Sequence, residues 1–501
     1  MKGLSMSQSR RWLSWRVARW AGLAVCIPAL WACTARKLVD PDPAPNKSFV
    51  GTFQQTLNRD IDILFMVDDS SSMAPLQKKL KTNFPAFMDV LKALPLPNVH
   101  ISVISSDLGA GRTGAPGCNA MGGDQGKFQF APKDPVVCAN AQLKAGQNYI
   151  QNINGIANYT GDISDAFSCI AGLGDTGCGL EHQFGSVLRA LGADGLGAPA
   201  ENTGFLRKEA WLAVILITNE DDCSAPKDSD VFSASSKYVS DPLGPLTSYR
   251  CNLVGHTCDG APPPKGPGGP FNNCVSNENG TLLRVADVVA GLKGLKTDPS
   301  KILVAAITGP PKPYAVANTG TPNNDDTATA WPEVGHSCTQ PDGTYADPSV
   351  RIWQWIQAFA GNGVFESICN ASFTPALQRI AEEIGKKIGS QCVEGNILDT
   401  MGVPWTGATT PDCTVTDHAY AANGDRVDVT IPSCASLGAA PTATCWTLDA
   451  GNAMNGCAGQ HVITFSNRDP NAAQSHIDSS VACSVVACPP AGALNKPAYC
   501  P

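Results

Sequence analysis

The stretch Ile61–Met73 reads Ile-Asp-Ile-Leu-Phe-Met-Val-Asp-Asp-Ser-Ser-Ser-Met, and it narrows the possible folds more than any other part of the chain. Ile63–Val67 is an unbroken apolar run, the mark of a strand buried on both faces of a parallel sheet. It stops abruptly at five small polar residues, and Pro75 follows where a first helical turn would start. Strand, tight turn and helix are expected in that order, with Asp68, Ser70 and Ser72 spaced two apart on the turn. Ligands of open α/β sheets bind outside the carboxyl ends of the strands, so this turn is the expected place for a site. One carboxylate and two hydroxyls are hard oxygen donors, suited to Mg²⁺, Mn²⁺ or Ca²⁺ rather than zinc. A plainer reading also stands: Asp- and Ser-rich strand ends serve as turns and helix N-caps.

The rest of the chain extends this opening into a doubly wound, mostly parallel sheet flanked by helices. Leu76, Leu80, Phe84, Phe87, Leu91 and Leu94 recur at spacings of three and four, which predicts an amphipathic helix kinked at Pro85. Val99–Ser105 reads as the next strand, and Trp211–Thr218 as the clearest second buried one, followed directly by Asn219, Glu220, Asp221 and Asp222. Leu180–Leu191 and Leu282–Leu295 are helical stretches, and Ile302–Ile307 is another buried strand. Asp347-Pro348 and Thr374-Pro375 each place a capping residue before proline, the start signal of the last two helices. Between these elements the pattern dissolves near 109–168, 224–279 and 309–347, where Gly, Asn, Pro and Cys predominate; these are expected as long insertions.

The Asp-x-Ser-x-Ser of Asp68, Ser70 and Ser72, after Ile-Leu-Phe-Met-Val, resembles the metal-ion-dependent adhesion site of von Willebrand factor type A (VWA) domains. The resemblance covers most of residues 58–392. It implies a VWA/Rossmann-like fold, and it implies that a threonine before a later helix contacts the metal, for which Thr176 is the best match. It also implies that the residue after Leu-Ile-Thr completes the metal shell. Here that residue is Asn219, which offers a carbonyl oxygen but no charge. Asp221 or Asp222 is the candidate to make up the difference. The run Thr-Asn-Glu-Asp-Asp-Cys-Ser, with Ser367-Ile368-Cys369, is similar to a variant in VWA-like lipoproteins of myxobacteria and related bacteria.

Residues 1–32 read as a lipoprotein-type signal peptide, with five basic groups up to Arg19 and a short apolar run from Trp20 to Ala32. Leu30-Trp31-Ala32-Cys33 resembles a bacterial lipoprotein cleavage box, which implies lipidation of Cys33 and attachment to a membrane through that lipid. Residues 33–57, rich in Pro, are expected as a tether. Thr34 stands where some bacteria place an inner-membrane retention aspartate, which favours the outer membrane. Without residues 1–32 the chain has 31 bases against 44 acids, a balance that disfavours nucleic acid as a partner.

Twenty cysteines without a repeated Cys-x-x-Cys point to disulfides rather than metal clusters. Residues 393–501 carry seven of them among short alternating runs such as Arg426–Ile431 and His461–Phe465, and are expected as a β-rich, disulfide-stapled module. Seven scattered histidines form no His-Glu-x-x-His, and there is neither a Gly-x-Ser-x-Gly elbow nor a phosphate-binding loop, so no enzyme is expected. The expectation is an envelope-anchored, non-enzymatic binding or adhesion-type protein. Its divalent cation would meet an acidic group on a partner, protein or otherwise. The alternative is a structural, disulfide-stapled envelope lipoprotein with a degenerate metal site.

Overall fold

The structure, a computed structural model, describes residues 60–486 apart from short internal segments, the longest being 451–459 and 468–476, together with the strands Lys47–Phe49 and Gln55–Thr56. The signal stretch 1–32, Cys33 and most of the tether 33–57 lie outside the described residues.

A central sheet of seven strands organises residues 60–388: β1 (Ile61–Val67), β2 (Val99–Ser105), β3 (Ile150–Ile153), β4 (Ile156–Ala157), β5 (Trp211–Ile217), β6 (Ile302–Thr308) and β7 (Gly363–Ser367). Their order is β7-β6-β5-β1-β2-β3-β4. The first five are mutually parallel, while β3 and β4 add antiparallel at one edge. β1 is flanked residue for residue, with Ile61 opposite both Val99 and Trp211 and Val67 opposite both Ser105 and Ile217. The strand order reverses between β1 and β5, which places a crevice at the carboxyl ends of those two strands.

Helices cover both faces. Ile61, Ile63, Phe65 and Val67 pack beneath α1 (Ala74–Ala93), α2 (Ile163–Ile170) and α6 (Thr374–Ile388). Leu64 and Met66 face α3 (Gln183–Leu191), α4 (Val285–Lys293) and α5 (Val350–Gln357). Alternate residues of β1 thus feed two separate cores, which is why the strand carries no polar face. The first core centres on four fully buried rings. Phe65 lies 4.8 Å from Phe167 and 5.7 Å from both Phe84 and Phe87 between ring centroids. α1 runs as one helix through Pro85.

The stretch 109–168 is not simply loop. It contributes β3 and β4 to the sheet and α2 to the first core, with Asp162 capping α2 by accepting the Ser164 N–H at 2.8 Å. The other two insertions meet in a three-stranded sheet formed by Gly268–Phe271, Tyr314–Asn323 and Asp326–Val334. After Ile388 the chain forms two antiparallel sheets around one cluster that includes Val415, Trp446, Ile463 and Val481. Cys392–Val393, at the expected boundary, pairs with His461–Ser466. The end of the expected tether is also ordered into this region: Lys47–Phe49 and Gln55–Thr56 both pair with Ile477–Val486.

Seven disulfides join described cysteines, among them Cys118–Cys178, Cys138–Cys169, Cys223–Cys251 and Cys338–Cys369, and Cys392 is also disulfide-bonded. So many bridges mark a protein of an oxidising, extracytoplasmic compartment. No helix among the described residues is long and apolar enough to cross a membrane.

One buried group on β2 makes stability depend on pH. His100 donates its Nδ1 hydrogen to the Phe205 carbonyl at 2.8 Å, and burial, with Arg207 nearby, holds its pKa down to about 4. Between the ordinary value of 6.5 and about 4, the unfolded chain binds a proton that the folded one refuses, so stability falls as pH falls through that window. Each pKa unit is worth about 1.4 kcal/mol, which makes the loss on the order of 3 kcal/mol. Urea unfolding at pH 7.0 and 4.5 should show a smaller acid-induced loss in His100→Gln than in the parent. Equal losses would contradict this role for His100.

Candidate metal centre

β1 ends at Val67, and the backbone N–H of Asp68 continues the ladder to the Ile217 carbonyl at 2.9 Å before the chain turns away. That last rung fixes the Asp68 side chain at the carboxyl end of the sheet. Its carboxylate is fully buried and held by three hydrogen bonds. Oδ1 accepts the Ser70 N–H at 2.8 Å and the Ser106 hydroxyl at 3.3 Å, and Oδ2 accepts the Thr218 hydroxyl at 2.7 Å. Gln77, one turn into α1, donates to the Asp68 carbonyl at 2.8 Å and to the Gly174 carbonyl at 2.8 Å, tying the turn to the neighbouring loop.

The two serine hydroxyls lie side by side, Ser70 Oγ to Ser72 Oγ at 3.3 Å, and Ser72 donates to Asn219 Oδ1 at 3.1 Å. Asn219 is held in turn by its amide hydrogen bond to the Tyr345 carbonyl at 3.3 Å and by the Asp347 N–H, which donates to its carbonyl at 2.8 Å. Asp68, Ser70, Ser72 and Asn219 therefore converge, although 147 residues separate Ser72 from Asn219. The crevice predicted by the strand order is where they meet.

Of the other sequence candidates, Thr176 lies on a loop packed against the turn, and Asp221 is engaged elsewhere. Thr176 is exposed. Its neighbour Gly177 donates its N–H to the Asp69 carbonyl at 2.8 Å, and a Cβ at Gly177 would come within 2.3 Å of the Asp69 carboxylate. The threonine hydroxyl that reaches Asp68 is that of Thr218, the last residue of Leu-Ile-Thr. Asp221 is turned away, with both carboxylate oxygens occupied. Oδ2 takes His256 Nε2 and the Arg351 N–H, each at 2.8 Å, and Oδ1 takes the N–H groups of Ile352 and Asp222 at 3.1 and 2.9 Å. Asp221 caps α5 and belongs to the core rather than to the turn. These bonds, with His256 foremost, hold its carboxyl below the usual range against the opposing effect of burial.

Asp222 is likewise structural. Oδ1 accepts the Phe184 N–H at 2.9 Å at the start of α3, and Oδ2 is within 3.1 Å of Arg351 Nη2. Arg351 and Asp222 are both fully buried at their side chains. The acidic run after β5 therefore splits. Asn219 faces the turn, while Asp221 and Asp222 anchor two helices.

Sequence reading missed a group of carboxyls beside Asp68. Glu181, two residues before α3, is only 1% exposed, and its Oε1 has no hydrogen-bond partner among the described residues. It shares a side-chain hydrogen bond with Glu220. Burial, then Glu220 and Asp68, push the Glu181 carboxyl well above its ordinary range; burial, then Asp347 and Asp68, do the same to Glu220. Burial also raises Asp68, against its hydrogen bonds from Thr218 and Ser70. A lone acid ahead of a helix looks like an ordinary first-turn residue in sequence, so only the fold reveals Glu181.

The donors at the turn fit a hard divalent cation: one carboxylate, two hydroxyls and an amide oxygen, all oxygen and all at strand ends. Among the described residues no three His, Cys, Asp or Glu side chains are grouped to hold a metal ion, so any such centre depends on the serine hydroxyls.

No protein-family model matches the chain, and no curated protein sequence matches it. Among solved structures, the pilus adhesin SpaC from Lactobacillus rhamnosus GG aligns with 86% of this chain and 40% of its own, at 12% identity and a TM-score of 0.28. The pilus adhesin RrgA from Streptococcus pneumoniae aligns with 85% of this chain and 56% of its own, at 10% identity and a TM-score of 0.25. The human COPII-coat protein Sec24c aligns with 85% and 44%, at 9% identity and a TM-score of 0.22. The chain thus spans 40–56% of the length of these proteins, and likeness at this level carries no argument about what it does.

Proposed function

We propose that this protein is an envelope-anchored, non-enzymatic binding protein of the adhesion type, with a VWA-like domain and a C-terminal disulfide-stapled module. In this reading Cys33 carries the lipid anchor. Asp68, Ser70 and Ser72, with Asn219, hold Mg²⁺, Mn²⁺ or Ca²⁺, and an acidic group of the partner meets that ion. One observation carries the reading: Asp68, both serine hydroxyls and Asn219 Oδ1 are brought together from two adjacent parallel strands at the point where the strand order reverses. The resemblance of Asp-x-Ser-x-Ser to the adhesion site of VWA domains supports it. When bound, the ion would supply positive charge, which a chain of net charge −8 needs to attract an acidic partner. The chain's own residues supply the rest. Asp68 gives the fixed negative charge, Thr218 and Ser106 hold that carboxylate in place, and Ser70 and Ser72 turn their oxygens to the same point.

The neutral Asn219 favours a second reading, a structural envelope protein whose metal site has degenerated. Thermal unfolding of the oxidised protein separates the two. With EDTA as the baseline, Mg²⁺, Mn²⁺ or Ca²⁺ at a hundred times its dissociation constant is expected to stabilise by about 2.7 kcal/mol. The increment should vanish in Asp68→Ala. No increment with any of the three ions would leave the structural reading standing alone.

A further inference from the structure

The chain enters its C-terminal sheets beside an apolar loop. Ser48, on the strand Lys47–Phe49, lies opposite Ser484 of Ile477–Val486. On its other side Ser484 holds both stems of the loop 399–411. Its carbonyl accepts the Leu398 N–H at 2.8 Å, and its N–H donates to the Asp412 carbonyl at 2.9 Å. Neighbouring strands stand about 4.8 Å apart, so the stems lie about 10 Å from the entering strand. The loop itself is firmly framed. Asp399 Oδ1 accepts the N–H groups of Met401 and Val403 at 2.9 and 3.1 Å, and Gly402 donates its N–H to the Asp399 carbonyl at 2.9 Å. Below the tip, the Trp405 indole donates to the Thr409 carbonyl at 2.7 Å and its ring packs on the cluster around Val415. This frame turns Met401 and Val403 outward, 72% and 51% exposed. From 395 to 411 the single ionisable residue is Asp399, which is buried, so the tip presents apolar side chains and no charge.

We propose that the loop 399–411 rests on the membrane, with Met401 and Val403 inserted at the boundary of headgroups and acyl chains. The inference rests on the reading of Cys33 as the lipid anchor and adds a second contact to it. A lipid surface is the occupant because the anchor brings one within reach. Residues 34–46, between Cys33 and Lys47, span at most about 50 Å even fully extended. The bilayer is thereby confined to the neighbourhood of the entering strand, and the loop stands beside that strand. Two apolar side chains alone would hold a membrane weakly. On an anchored chain the contact is intramolecular, so weak intrinsic affinity suffices. The loop carries no basic residue and the chain is acidic, which fits neutral headgroups rather than anionic ones.

The lipidated full-length protein, reconstituted in phosphatidylcholine vesicles that include a lipid with a photoactivatable acyl chain, tests this. After irradiation the labelled peptides are mapped by mass spectrometry, and label is expected on the peptide that contains Met401 and Val403. The double change Met401→Ser with Val403→Ser is expected to lower that label at least about tenfold, the loss in partitioning for two apolar side chains left in water. Its thermal midpoint should equal the parent's, since both side chains are already exposed in the fold. An unlabelled loop in the lipidated protein overturns the inference and leaves the anchor standing. Label that survives the double change overturns it as well. An N-terminal peptide whose mass shows no lipid on Cys33 removes the anchor reading and the inference together. Sedimentation of the unlipidated Cys33→Ser protein addresses the competing occupant. A dimer that the double change dissociates would assign the loop to a second copy of this chain and overturn the membrane contact.

Discussion

Replacing Asp222 by alanine is expected to destabilise the fold by about 3–5 kcal/mol, because it strands the guanidinium of Arg351 in the core. Both side chains are fully buried, and Asp222 Oδ2 lies 3.2 Å from Arg351 Nε and 3.1 Å from Nη2. The same carboxylate accepts the Phe184 N–H at 2.9 Å and the Ser224 N–H at 3.1 Å, so the substitution also uncaps α3. Urea unfolding with the disulfides intact gives the size of the loss. Asp222→Asn keeps an acceptor for the caps while removing the charge, and should fall between the parent and alanine. The double change Asp222→Leu with Arg351→Met removes both charges and should be milder than Asp222→Ala alone. A double variant as damaged as the single one would show that packing around the pair, not the unpaired cation, sets the loss.

Phe65→Ala is the second large effect, again about 3–5 kcal/mol by the same measurement, for a reason unrelated to charge. The ring sits in the middle of β1 and meets Phe84, Phe87 and Phe167 from two different helices. Alanine leaves a cavity between rigid elements that cannot close on it, since the strand is fixed by its ladders to β2 and β5. Phe65→Leu refills most of that volume and should recover much of the loss. A loss below about 1 kcal/mol in Phe65→Ala would mean that the three remaining rings collapse into the space.

How much of this was legible in the sequence depended on whether the determining contacts were local. β1, β5 and β6 announce themselves because a strand covered on both faces must be apolar throughout. Arg426–Ile431 and His461–Ser466 were legible through alternation. By contrast, β3 has one buried residue, Ile150, and pairs antiparallel at the sheet edge, so it leaves almost no apolar signature. α2 is only eight residues long and lies in a Gly- and Asn-rich stretch, where Asp162, Phe167 and the Cys138–Cys169 bridge hold it in place. The turn at Asp68 was visible because its residues are consecutive. The roles of Asp221 and Asp222 were not, since their partners His256 and Arg351 lie 35 and 129 residues away. An acidic run reads alike whether it faces an ion, water or a buried arginine. Glu181 was hidden for the same reason.

The pairing of Lys47–Phe49 with the strand Ile477–Val486 has a consequence for the order of assembly. Lys47 faces Val485, so this sheet edge closes only when segments more than four hundred residues apart in the chain come together. A chain delivered from its N-terminal end must therefore hold Lys47–Phe49 and Gln55–Thr56 unpaired until Ile477–Val486 has emerged. By then β1 to β7 and their helices can already be in place. The late-arriving strand is also joined to Cys413–Tyr420 by the Cys413–Cys483 bridge, so its oxidation and the docking of the earliest segment fall at the same closing stage. Truncation that removes Ile477–Val486 would thus leave Lys47–Phe49 and Gln55–Thr56 without their partner strand.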